Sequence, residues 1–226
     1  VYITPGAEQE RCPYGFTDTV RKQGDELFCS LLLVQASRQL ADLYRDLDRK
    51  ESADGWSAES EKVAEAIRKV FWNEEWGLFR AATALCNQPD IWGSAFAVFL
   101  DIATPEQAQR IARYFDEHHG ELVKRGQLRH LPGGMYWESI CCDVKKDTYQ
   151  NGAYWATPIG WYVYTLDRVN PERARRTVVE LVADFKATGD ENECVHDHYA
   201  NVSHYIASTT LPLDGIRKLR ARAPKQ

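Results

Sequence analysis

Between residues 24 and 49 apolar side chains return at Leu33, Ala36, Leu40, Leu43 and Leu47, the spacing that lays one stripe along a helix. A second helix is expected over 57–72, from Ser57 as N-cap, with Glu59 and Glu61 behind it, through Val63, Ile67 and Val70 to Trp72. A third covers 91–102. Thr104-Pro105-Glu106-Gln107 joins an N-cap Thr, a Pro at the first helical position and a Gln three residues on, which starts a fourth helix over 104–119. Asn170-Pro171 repeats the device and separates a fifth helix, 152–167, from a sixth, 171–187. A seventh spans 203–222 with Pro212 inside it. No segment reads as a strand, because the apolar runs are too long or keep helical spacing.

The links between these seven helices alternate in length. Those at 50–56, 103–104 and 168–170 are short, and those at 73–90, 120–151 and 188–202 are long. In antiparallel hairpins successive connections fall at opposite ends of the bundle, so the long links share one face, together with the segment ahead of the first helix. That face gathers Asp18, Glu74, Glu75, Asp90, Glu138, Asp143, Asp147, Glu191, Glu193 and Asp197, with Trp76, Tyr136, Trp137, Tyr149 and Tyr199. Long loops on a scaffold trimmed short at its other end are where function sits.

Composition narrows the ligand. Lys plus Arg number 28 against 33 Asp plus Glu, a formal charge of -5 without a basic run, which argues against nucleic acid. No apolar stretch reaches the roughly 20 residues that cross a bilayer, so no membrane span is expected. The six cysteines show no metal-type spacing, and no metal or cofactor is expected; the milder reading of their pattern is a reducing, cytoplasmic setting. The chain begins at Val, and an upstream region is expected. Aromatic faces with carboxylates and amides suit carbohydrate: rings cover C–H faces while Asp, Asn and Gln take hydroxyls. Two carboxylates on opposite sides of a sugar suffice for hydrolysis, and inverting enzymes hold them roughly 6.5–9.5 Å apart.

GFTDT ahead of a long helix, FWNEEWGLFRA at 71–81, DTYQNGAYWATP at 147–158 and ENEC at 191–194 together resemble the catalytic half of an (α/α)6 six-hairpin glycosidase. The similarity is to the trehalase and glucosidase group, glycoside hydrolase families 37 and 63. It implies an all-α toroid of helical hairpins over 1–226 as a single catalytic domain, and an inverting hydrolase of α-glycosides or oligosaccharides. By the same resemblance Asp18 is the general acid and Glu193 the base, with Glu191 the alternative in the same motif. Gln150, Asn151 and Trp155 match the family's sugar-contact stretch. Trp137, Asp147, Tyr149, Glu191 and His198 join them as candidate substrate contacts, although Trp137 and Trp155 can equally face the core. His196 and His198 read as sugar or water contacts in preference to metal ligands.

Two other readings stay open: a non-catalytic carbohydrate-binding scaffold, which needs no opposed acids, and a polysaccharide lyase using Tyr199 with His198. A closed ring of six hairpins needs twelve helices against the seven counted. A partial toroid is therefore expected, lacking an N-terminal portion, with that segment or a homodimer covering the open flank.

Overall fold

The computed structural model describes residues 2–3, 19–140 and 142–222. Its helices are α1 (Leu27–Asp46), α2 (Lys50–Val70), α3 (Ile91–Phe99), α4 (Pro105–Glu117), a single turn α5 (His119–Leu122), α6 (Ile159–Leu166), α7 (Pro171–Thr188) and α8 (Ala207–Arg222). Burial sorts them into two layers. Every residue of α3 and α6 is buried, so these are inner helices, whereas α2 buries only Ala53, Ser60, Ala64 and Ile67 and α7 only Ala174, Thr177 and Leu181. α4 hides Ala108, Ile111, Ala112 and Phe115, a single stripe at helical spacing. α1, α3, α6 and α8 pack in succession as the inner row, with α2 along α1 and with α4 and α7 against α6. This is the expected partial α/α toroid.

Aromatic side chains fill the inner layer. Phe96 stacks on Phe28 at 5.2 Å and meets Trp161 at 4.4 Å, and Trp92 meets Trp155 edge-on at 5.6 Å. Truncating buried Phe96 to alanine should cost about 3–5 kcal/mol, the transfer loss plus the cavity. α6 and α8 cross closely because Gly160 and Gly215 face each other: a Cβ on Gly215 would lie 2.2 Å from the Gly160 carbonyl oxygen. Phe28, Leu32 and Gln35 of α1 and Leu211 and Asp214 of α8 line a groove of about 180 Å³, where the row of helices is open. No helix among the described residues is long and apolar enough to cross a membrane.

The expectation of no strands is overturned. Short strands pair as β1 (Tyr2–Ile3) with β2 (Gly24–Asp25), β3 (Trp72–Asn73) with β4 (Leu78–Phe79), and an antiparallel sheet ordered β5 (Val123–Lys124), β6 (Gln127–Arg129), β7 (Tyr154–Trp155), β8 (Cys194–His196), β9 (Tyr199–Asn201). Two or three residues are too few to show an alternating pattern, and several partners are distant in sequence. β5 and β6 turn through Arg125 and Gly126, both at positive φ, the geometry that matches strand twist. Gly126 is also required by α7, since a Cβ there would come within 2.3 Å of the Leu181 nitrogen.

Several helix bounds move for the same reason. Gly24 and Asp25 belong to β2 and Glu26 is the N-cap of α1, so that helix begins at Leu27. Gly152 does not open a helix: Tyr154 and Trp155 are a sheet strand, and α6 starts after Pro158. α3 stops at Phe99 and α8 starts at Ala207, after the loop holding Ser203. Ser57 is interior to α2, which begins at Lys50 because Asp48, at φ 55, reverses the chain at once. The Lys50–Asp54 pair then stands one turn apart in the first turns of α2.

Candidate active site

The centre of the loop face is the stretch from Asp147 to Trp155. Asp147 and Tyr149 take positive φ, and the chain closes on itself through Asn151 N donating to Thr148 O and Asp147 N donating to Asn151 O. The tight turn leaves Gln150 and Asn151 buried. Gln150 Oε1 accepts from both the backbone N–H (3.1 Å) and the hydroxyl (2.7 Å) of Thr19. Asn151 Oδ1 accepts from Trp137 N at 3.2 Å, and the Trp137 indole N–H donates to Gln150 O at 2.9 Å. Trp137 (6 % exposed) and Trp155 (2 % exposed) are core residues, and they serve this loop by packing and not by an open ring face. Tyr149 is half-buried against Trp155 at 5.3 Å.

Asp147 keeps 43 % of its side chain exposed, and its Oδ1 accepts from Tyr136 OH at 2.9 Å, with Arg129 Nη1 at 3.7 Å and His196 Nε2 at 3.6 Å. Arg129 is buried, lies 5.1 Å over the Tyr136 ring and donates to Met135 O. This pins a carboxylate at the mouth of the loop face with its charge partly compensated.

Glu193 is 8 % exposed, on the segment entering β8. Its backbone N–H donates to Asn201 O and Val202 O, and its Oε2 accepts from Asn201 Nδ2 at 2.8 Å. Two neighbours register its charge. Burial first, and then Glu193, push the Cys194 thiol up to about 12, and burial, Cys194 and Glu193 push the Tyr199 phenol up to about 12. Glu191 is half-buried and sits with Asp190 and His204, whose donor atoms and its own lie within 4.8 Å of one another. This is the group of described residues able to approach a cation, but Asp190 already accepts from Asn192, Ser203 and the His204 N–H. His198 is exposed in the β8–β9 turn, and His196 packs on Tyr154 at 5.6 Å.

Asp18 lies outside the described residues. The structure does tie both flanks of the site to one stretch: Thr19 to Gln150, and Val195 of β8 to Tyr154 of β7. Sequence reasoning placed Asp90 on the loop face but missed the buried set to which it belongs: Lys22 with Glu26 and Asp90 with His130. Asp90 caps α3, its Oδ1 accepting from Gly93 N at 2.7 Å, and an acid directly before an apolar helix is the signal that could have found this role. Lys22 and Glu26 are four apart, the spacing of a helical ion pair, but nothing local marks His130.

Helical hairpins in an open ring, with carboxylates and amides gathered at the end where the long loops meet, define the class of α/α-toroid glycosidases. The chain belongs to the trehalase family: the family model described as trehalase matches residues 30–188, more than two thirds of its length, and makes it a glycoside hydrolase. The match begins after Asp18 and ends before Glu193. No curated protein matches the chain.

Proposed function

We propose that this glycoside hydrolase cleaves α-glycosides or short oligosaccharides with inversion, Asp18 protonating the leaving oxygen and Glu193 activating water. The observation that carries the reading is the seating of Glu193. It is a buried carboxylate fixed by Asn201 on a strand joined through β7 to the loop that also holds Thr19, the residue after Asp18. A base must be ionised and oriented. The Asn201 amide donates to Glu193 Oε2, and the double backbone anchor of Glu193 fixes its direction. Glu191, in the more open cluster with Asp190 and His204, lacks that seating. Asp147, half exposed beside Arg129, suits a sugar hydroxyl.

The test is hydrolysis of a panel of α-glucosides and disaccharides, including α,α-trehalose, with the product anomer followed by proton NMR. Asp18→Asn and Glu193→Gln should each lower kcat by about 10²- to 10⁴-fold with circular dichroism unchanged. Full activity in either variant, or retention of configuration, would refute the assignment. Sugar binding without turnover across the panel would favour a binding module.

A further inference from the structure

Four ionisable side chains that no step above uses are buried together under the loop face. Lys22 Nζ and Glu26 Oε1 are 2.8 Å apart with both side chains wholly buried, and His130 Nε2 faces Asp90 Oδ1 at 3.2 Å with 3 % and 0 % exposure. Asp90 Oδ2 and His130 Nδ1 are buried without a hydrogen-bond partner among the described residues. Burying ions in this way stabilises a fold no better than apolar residues of the same volume, so stability alone does not account for the arrangement.

What the cluster touches does. Lys22 Nζ lies 5.6 Å over the ring of Trp137, and His130 meets the same ring edge-on at 4.9 Å while stacking on Trp92 at 4.1 Å. Trp137 in turn donates through its indole to Gln150 O and through its backbone to Asn151 Oδ1, and Gln150 receives both donors of Thr19. A continuous line of contacts therefore runs from the ion pair at the start of α1 through one indole to the loop that carries the site.

We propose that Lys22, held by Glu26, is a positioning residue: its cation fixes Trp137, and through Trp137 and Gln150 it fixes Thr19, the residue that follows the proposed acid in the chain. The inference rests on the hydrolytic reading above. Lys22→Met alone strands Glu26 as a buried, unpaired charge and should unfold readily, so the informative protein is the double variant Lys22→Met/Glu26→Gln. There the new amide oxygen can still accept from Cys29 N–H, as Glu26 Oε2 does now at 2.6 Å.

In the double variant kcat should fall about tenfold or more with KM within about threefold of the wild type, because geometry is lost and not affinity. Hydrogen exchange at the Thr19 and Trp137 amides should quicken by about tenfold or more while the interior of α1 keeps its protection. A drop in Tm with kcat of the folded protein retained, or unchanged exchange at those two amides, would overturn the proposal. A wild type inactive on every glycoside tested would defeat the hydrolytic reading instead, and the exchange measurement would still decide whether the ion pair fastens the loop.

Discussion

Packed flat on Trp92 and facing Asp90, the His130 imidazole is out of contact with water, and burial pushes its pKa below 6.5 despite the opposing pull of Asp90. The unfolded chain then binds a proton at a pH where the folded one does not. Stability from this group is complete above about pH 6.5 and falls as the pH drops below that value. Chemical denaturation of the wild type and His130→Gln between pH 5 and 8 should show a shallower dependence in the variant; equal slopes would dismiss the effect. At this scale legibility was uneven. Gln150, Asn151 and Glu193 stand in local motifs and could be singled out from the sequence, but His130 acquires its meaning from Asp90 and Trp137, and neither neighbour is implied by its own surroundings in the chain.

Among elements, α2, α4 and α7 were legible because each buries a stripe at helical spacing, and the capping box at Thr104 and Gln107 forms as its residues require. In α1 the helix was legible but its buried face was not: Leu27, Leu31, Val34, Ser37 and Ala41 face the core, whereas Leu43 and Leu47 of the expected stripe are exposed. The strands were not, since Tyr154 pairs with Val195 and Leu128 with Trp155, contacts that the tertiary fold alone creates. Such a pairing also overrides local spacing: the apolar run after Gly152 reads as one helix and is divided at Pro158 into strand and helix. The crossing of α6 and α8 offers a sharp test. Gly215→Ala places a methyl against the Gly160 carbonyl, backbone that cannot swing aside, and should cost about 1–3 kcal/mol in urea unfolding. Gly55→Ala, which meets nothing within 4 Å on the outer helix α2, should be neutral or stabilising. Equal effects of the two substitutions would remove the close crossing as a source of stability.

For the molecule as a whole, link lengths read from the sequence placed the long connections on one face, and the pairing of those links with one another follows from that placement. One buried cluster runs from Leu27 through α1, α2, α3, α4 and α6 to Cys194 of the sheet. Helices and sheet therefore share their core, and neither can lose it alone. Thermal melts followed by far-ultraviolet circular dichroism and by tryptophan fluorescence should coincide; two separated transitions would show that the sheet is a unit of its own.

The polarity of the scaffold bears on how this enzyme could be immobilised. α1, at 20 residues, separates the trimmed pole from the loop pole by about 30 Å. Among the described cysteines Cys142 alone is exposed, and it stands on the loop pole. Coupling a support at that pole would press the mouth against the surface and starve it of sugar. Anchoring through Glu51→Cys, on the exposed start of α2, would turn the mouth toward the bulk solution.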